Sequence, residues 1–376
     1  MSVRVQARIA DPLGAPLATI ANFAGGDDAA ALDYTICSAP GAVGVCEISL
    51  PRSVSSDILL RDGRITLERS IDGRAFAPDN DVVYTMETFR YVRGRRHITA
   101  YQATGLLGRR IVAYPAGSSY ALKAAAAAGD QLLTFARENL GASISAANRD
   151  GAETQADVSA YLSIPANSGL GASVAKAAAR RRLDEVAREL CEASALAGTY
   201  LTYEIANAGG GLLELRVFAG QRGVDRTATI TLSEAAGTLA NSTLTIDYHN
   251  EATWAVAAGA GEGVDRLIAT QLDATRISAS PFGRIERFVD RSNVTDATAL
   301  QDDADTAVRA GRPTITLTGE LRETFRFVRG IDFDLGDLVS AASPETPQTF
   351  TMRLEMVRET WNSSGRAQQI GLREVT

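Results

Sequence analysis

The sequence predicts a β-rich α+β protein of several domains. Three observations carry that prediction. Short runs of strand-forming residues alternate with turn residues over 1–115 and return after residue 199. Between them the chain turns Ala-rich and acquires helical periodicity. Finally, an octapeptide occurs twice: Glu87–Gly94 reads ETFRYVRG and Glu323–Gly330 reads ETFRFVRG, with seven of eight positions identical. That separation is too long for a solenoid repeat. Each copy reads as a strand ending at a glycine turn, so the pair suggests two like β-domains, barrels or sandwiches, around an α/β middle domain.

Taken in order, residues 1–115 form the first β-domain. Ser2–Ile9, Val43–Leu50, Asp57–Ile65, Ile65–Ile71 and Asp81–Val92 read as strands, with Asp62-Gly63 and Asp72-Gly73 as turns. Ile98–Ala103 and Arg110–Tyr114 would close the sheet. Residues 116–218 form the α/β domain. Ala121–Leu140 is helical, interrupted at Gly129 and ended by Gly141 at C′. Asn148–Gly169 is a polar loop. Val174–Ala197 reads as one helix, capped by Ser173 and ended by Gly198, with Leu183, Val186, Ala187, Leu190 and Cys191 as its apolar stripe. Thr199–Ile205 and Leu212–Phe218 make a hairpin. Residues 219–311 continue in strands with Gly-rich corners, then Ile285–Val289, then a helix over Thr295–Ala310 stopped by Gly311 and Pro313. Residues 312–376 form a C-terminal β module: Thr314–Leu321, the repeated Glu323–Val328, Asp337–Ala341, Phe350–Glu359 and Gln368–Arg373, with a turn at Asn362–Gly365.

Composition narrows the function. The 376 residues are 45% hydrophobic and 22% charged, as in ordinary globular proteins. A net charge of −7 argues against a chain that sits on nucleic acid. Lys occurs only at Lys123 and Lys176, so 36 of the 38 basic residues are Arg. A GC-rich genome would produce that bias, and so would a need for planar, multidentate contacts. Cys37, Cys46 and Cys191 are too few for a disulfide framework, and reduced thiols in a chain made in the cytosol are expected. The N-terminus lacks a secretory h-region, and no run approaches the roughly 18 apolar residues of a membrane span.

No residue pattern specifies catalysis, a cofactor or a metal. His97 and His249 are the only imidazoles, and no GxSxG elbow accompanies them. A zinc site lacks both CxxC and HExxH. Asp332, Asp334 and Asp337 in IDFDLGD suggest calcium, but the acid and glycine positions miss the EF-hand spacing; carboxylates facing water or capping a turn account for them better. Gly259–Gly263 lacks phosphate-loop spacing and suits a sheet corner. Arg90, Arg93, Arg95, Arg96 and His97, beside Tyr91, form a basic tip, and Arg180–Arg182 another; a solvated face or a protein contact suits them better than nucleic acid. Asp302, Asp303 and Asp305 read as an exposed helix face and are weak candidates for the paired acids of glycoside hydrolysis.

A pattern in the second half has a family resemblance. GVDRT (Gly223–Thr227), GAGEG (Gly259–Gly263), RIERFVDRS (Arg284–Ser292), the helix Thr295–Ala310 and GIDFDLGDLV (Gly330–Val339) follow in that order. Together they resemble the tail-hub proteins of long non-contractile-tailed phages, which are similar to the central baseplate hub of contractile tails. GLLGRRI (Gly105–Ile111) resembles the end of that family's first tube-like domain. The resemblance spans roughly residues 80–376 and its motifs are structural. It implies a virion protein assembled in the host cytoplasm. Its two tube-like domains per subunit let a homotrimeric ring match a hexameric tube at the tail tip. The implied partners are the tail tube or distal tail protein, the tape-measure protein and tail-tip or fibre proteins. DNA would pass the lumen without specific binding, and no membrane anchoring is implied. Arg90 and Arg326, equivalent in the octapeptides, are the expected polar contacts between tube domains. The alternatives are a distal tail ring or adaptor, and a tail-tip wall hydrolase.

Overall fold

The computed structural model describes residues 2–21, 23, 29–115, 122–152, 157–178, 180–292, 294–324 and 327–375. The fold is α+β and β-rich, and the chain divides into two compact units: Met1–Thr243 with Leu317–Thr376, and Leu244–Thr316.

The first unit opens with β1 (Val3–Ala10), β2 (Pro16–Ile20), β3 (Ala31–Cys37), β4 (Val45–Pro51), β5 (Arg64–Ile71), β6 (Ala77–Val92) and β7 (Arg95–Gln102). A short ribbon of β8 (Leu122–Ala127) and β10 (Ser173–Ala177) lies around α1 (Ala128–Asn139) and β9 (Leu162–Ser163). Next come α2 (Leu183–Leu196), β11 (Leu201–Gly209), β12 (Leu212–Ala219), β13 (Thr231–Leu232) and β14 (Leu239–Asp247). The second unit holds β15 (Trp254–Ala258), β16 (Ile268–Leu272), α3 (Ala274–Ser278), β17 (Glu286–Asp290) and α4 (Ala297–Ala310). The chain then returns through β18 (Thr314–Leu321), β19 (Leu338–Ala342), β20 (Thr349–Asn362) and β21 (Gly365–Glu374).

The sequence ends of the first unit meet in one sheet. β20 pairs with β21 on one side and with β3 on the other, matching Met356 with Cys37 and Trp361 with Leu32. From β3 the sheet continues through β4 and β7 to β6, and β5 carries it on to β1 and β2. Residues 1–115 and 312–376 therefore share hydrogen-bonded strands. β20 shows how its sequence manages this. Phe350, Met352 and Leu354 point inward; a bulge before Met356 adds one residue, and Val357, Glu359 and Trp361 take the inward positions beyond it. A second core lies under the helices, where Leu132, Phe135, Val186 and Leu190 pack with Leu201, Ile205 and Leu215.

Several expected elements take other forms. Val174–Ala197 is not one helix: Val174 pairs with Ala126 in the ribbon, and helix starts only at Leu183. Arg180 adopts φ +61, and the backbone of Arg180 and Leu183 hydrogen-bonds to Val112 and Arg110, so long-range pairing overrides local helical preference. Arg182, not Ser173, precedes the first turn, and it makes no side-chain cap. The stripe itself is buried as expected. Ala121–Leu140 likewise divides into β8 and α1 rather than two helices; residue 121 lies outside the described set. Asp57–Ile65 is a short 3-10 turn followed by a loop, and Arg110–Tyr114 contributes a single bridge, Ile111 to Arg182.

The octapeptides also part company. Glu87–Val92 is strand, paired with β7 through the two-residue Arg93-Gly94 turn, both at positive φ. Of Glu323–Val328, residues 325 and 326 lie outside the described set, and the described residues on either side belong to no strand. Thr324 and Phe327 exchange backbone hydrogen bonds with each other, and Arg329, the counterpart of exposed Arg93, is wholly buried. The residues that follow decide the difference. RRHITA supplies a return strand to the first copy, whereas IDFDLGD supplies carboxylates that cap the second copy's backbone. The duplicated-strand reading is therefore incorrect.

Candidate functional site

The most concentrated chemistry in the first unit is a buried ion network. Asp79 comes from β6, Tyr34 from β3, Arg69 from β5, Glu359 from β20, Arg366 from β21, and Glu323 and Arg329 from the loop after β18. The Arg329 guanidinium donates to Asp79 Oδ1 at 2.8 Å, Asp79 Oδ2 at 2.9 Å and Glu359 Oε1 at 3.3 Å. Arg366 bridges Glu323 at 2.6 Å and Glu359 at 2.7 Å. Arg69 Nη2 lies 3.5 Å from Glu323 and 3.4 Å from Glu359. The Tyr34 hydroxyl lies 2.8 Å from both Asp79 and Glu359, and Trp361 Nε1 donates to Glu359 at 3.0 Å.

Three arginines meet the three buried carboxylates Asp79, Glu323 and Glu359, and a fourth, the partly exposed Asp334, lies 3.5 Å from Arg329 at the edge. Burial alone would raise the Glu359 carboxyl, but Arg69, Arg329 and Arg366 outweigh it and hold Glu359 well below its usual range. Asp79 is lowered in the same way, with Arg329 outweighing burial. Burial, with Asp79 and Glu359 adding to it, pushes the Tyr34 hydroxyl up. The Arg329 side chain is 0% exposed. The network joins strands from both ends of the chain and acts as a staple. Sequence reasoning passed over it. One signal was present: in MVRETWN, Glu359 falls in phase with the inward Val357 and Trp361.

A second junction unites two motifs from the sequence. Asp337 of GIDFDLGDLV accepts from Val224 N–H at 2.6 Å, from Arg226 Nε at 2.8 Å and from Asp334 N–H at 2.9 Å. A side chain at Gly223 would collide with that carboxylate. Asp332 accepts from Val328 N–H at 2.7 Å, and Asp334 accepts from Leu335 N–H at 2.8 Å. The three acids thus cap backbone and close the GVDRT loop, and no group of three metal-ligating side chains is found among the described residues.

The remaining sequence candidates are dispersed. His97 lies half-buried on β7, His249 is exposed in a turn, and neither ring hydrogen-bonds another side chain among the described residues. Cys37, Cys46 and Cys191 are free thiols. Arg180, Arg181 and Arg182 pair with Asp150, Glu189 and Asp184, so that basic run is neutralised. Gly259–Gly263 turns the corner after β15, with Gly261 at φ +101, and Gly259 lies close to the Val294 carbonyl. Asp303 of α4 pairs with Arg291, which precedes the helix, at 3.1 Å, and Asp305 accepts from Gln301 within α4 at 2.9 Å. Arg95 binds Ser49 and Ala29 carbonyl oxygens, and Arg96 the Arg52 carbonyl, whereas Arg90 and Arg93 are exposed. Arg326 lies outside the described residues. A shallow depression of about 320 Å³ over β3, β4, β6, β7 and β20 is lined by Asp33, Glu47, Thr88, Arg90 and His97. Asp33 is already engaged by Arg358 at 2.6 Å. The ion network and the Asp337 junction hold segments of the first unit together.

The fold has counterparts among known proteins. The fold is similar to a 43 kDa tail protein of prophage MuSo2 from Shewanella oneidensis, with 11% identity and a TM-score of 0.58 over 98% of each chain. It is similar to a tail protein from Neisseria meningitidis, with 14% identity and a TM-score of 0.55 over 100% of this chain and 97% of that one. It is also similar to prophage tail protein gp18 from Listeria monocytogenes, with 10% identity and a TM-score of 0.54 over 98% of this chain and 94% of that one. No curated protein sequence matches the chain. Residues 77–372 match the siphovirus ReqiPepy6 Gp37-like family along most of the chain. With GVDRT and GIDFDLGDLV joined at Asp337 in a fold similar to those tail proteins, and with the family matched over residues 77–372, the chain belongs to the siphovirus ReqiPepy6 Gp37-like family.

Proposed function

We propose that this protein is a structural tail hub: a homotrimeric ring at the distal end of a phage tail tube that joins the tube to the tail-tip proteins. The family match over residues 77–372 carries the reading, and the likeness to phage tail proteins along nearly the whole chain supports it. The role is architectural, without catalytic centre, cofactor or metal. The buried ion network and the capped GIDFDLGD loop suit a rigid body whose surfaces do the work. The sheet shared by residues 1–115 and 312–376 would supply the tube-like part, with 116–218 at the periphery and 244–316 as a separate contact unit. The octapeptide lends this no support. The ring would sit in the virion after assembly in the host cytoplasm, between the tube or distal tail protein, the tape-measure protein and the tip or fibre proteins. Its net charge of −7 would let DNA pass without being held.

Copy number and symmetry in whole particles test the proposal. Three copies in threefold symmetry are expected. Six copies in sixfold symmetry would replace the hub with a distal tail ring, and wall-degrading activity of the purified chain would replace it with a tail-tip hydrolase.

A further inference from the structure

One buried cation of the first unit lacks an acceptor. Five arginines among the described residues are buried: Arg64, Arg69, Arg149, Arg329 and Arg353. Four of them donate to an oxygen of the chain. Arg64 reaches the Gly211 carbonyl at 2.6 Å, Arg69 the Arg329 carbonyl at 3.1 Å, Arg149 the Ile111 carbonyl at 2.9 Å and Arg329 the Asp79 carboxylate at 2.8 Å. Arg353, on β20 and 6% exposed, makes no side-chain hydrogen bond and no ion pair among the described residues, and its Nε is sealed from solvent. Folding strips water from a guanidinium at a cost, and here no oxygen of the chain offsets it.

The surroundings of Arg353 define what it lacks. Its guanidinium lies 3.5 Å above the centre of the Tyr200 ring. At that separation the two planes stack, so the N–H groups point along the rim and stay available to an acceptor. Across the β20–β21 ladder Arg353 stands directly opposite Arg373, where like charges repel. One carboxylate is at hand. Glu355, in the β20 bulge, lies 3.4 Å from Arg373 Nε and forms no ion pair with Arg353. Burial pushes the Glu355 carboxyl up, against the pull of Arg373 and then Arg353. Two arginines and one carboxylate leave this corner one negative charge short. A monoanion balances it, whereas a dianion would be repelled by Glu355. At 6% exposure Arg353 can receive the tip of a side chain and not a polymer backbone. A carboxylate meets both conditions, and its two oxygens match the guanidinium fork.

We propose that Arg353, stacked on Tyr200, is a receptor for one carboxylate that the chain does not itself supply, and that an acidic side chain of a neighbouring protein brings it. Binding gives Arg353 two charge-assisted hydrogen bonds and offsets its repulsion from Arg373. The neighbour rests on the assembly proposed above; the anion site does not.

Acetate is the probe. Thermal unfolding of the full chain is followed by circular dichroism near neutral pH while sodium acetate replaces sodium chloride at constant ionic strength. The midpoint should rise along a saturating curve, as for a ligand that binds only the folded state. Arg353→Gln should abolish the response. Arg353→Lys keeps the charge, loses the fork, and should weaken acetate binding by about tenfold or more. Arg93→Gln, at the exposed β6–β7 tip, should respond as the parent does. If Arg353→Gln misfolds, the Arg353→Lys and Arg93→Gln arms decide alone. No rise in the parent, or an equal rise in every variant, would overturn the site. A stronger Arg353-dependent response to dimethyl phosphate would overturn the carboxylate in favour of a phosphodiester. In assembled particles an aspartate or glutamate of another chain should lie within hydrogen-bond distance of Arg353; water or a free ion there would overturn the neighbour. Threefold particles without an acetate response would leave the hub standing and remove only this site. An acetate response with sixfold particles would keep the site and remove only the hub.

Discussion

Removing Arg329 tests the staple most directly. Arg329→Met keeps comparable volume and deletes the charge. Glu359 would keep Arg366 at 2.7 Å and Arg69 at 3.4 Å. Asp79 would lose both direct cationic contacts, at 2.8 and 2.9 Å, and keep the Tyr34 hydroxyl and a long contact from Asn80 at 3.3 Å. A carboxylate stranded at 6% exposure should make the variant less stable by about 3–5 kcal/mol at pH 7. Urea unfolding followed by fluorescence measures this. Trp361 sits in the network, and placing Trp254→Phe in both proteins restricts the signal to the first unit. The pH dependence has a definite sign. In the parent, Asp79 and Glu359 are lowered on folding. Their stabilisation is present above the unfolded carboxylate value near 4 and is lost as pH falls through the folded values. In the variant, burial without Arg329 should raise Asp79, so protonation relieves the penalty and the deficit narrows between pH 7 and about 4.5. Adding Asp79→Asn should recover part of the loss at pH 7. A deficit under ~1 kcal/mol, or one that does not change with pH, would refute the staple.

Three further outcomes are expected. Leu190→Ala, at a fully buried position between α2 and the second core, should cost about 2–5 kcal/mol by urea unfolding. Gly44→Ala should cost about 1–3 kcal/mol or more, because its Cβ would overlap the Thr35 carbonyl and the Gln102 amide, and a stable variant would place β3 and β4 differently. At pH 8, native iodoacetamide labelling should be slow at Cys37, whose thiol is pushed up to about 11 by burial and then by Glu355. It should be absent at Cys46 and Cys191, raised further by burial, until urea is added; rapid native labelling of Cys46 would contradict its place in the core.

Much of this architecture was legible in the chain itself. Period-two runs located β1, β5, β6, β19, β20 and β21, the stripe Leu183–Cys191 located the buried face of α2, and the capped Thr295–Ala310 pattern located α4. These signals are local, set by side-chain periodicity and turn chemistry, so no partner is needed to read them. The motifs GVDRT and GIDFDLGDLV also marked the loops that Asp337 draws together. What one sequence could not decide is whatever depends on pairing across the chain. Val174 became strand because Ala126 offered it hydrogen bonds, against its own helical surroundings. β3 was invisible until β20 and β4 enclosed it. The two copies of one octapeptide part for the same reason. Arg93 stands at a hairpin tip where water solvates it, whereas Arg329 lies where Asp79 and Glu359 converge. Burying a guanidinium is tolerable only where the fold brings carboxylates to meet it, and no window of eight residues contains them.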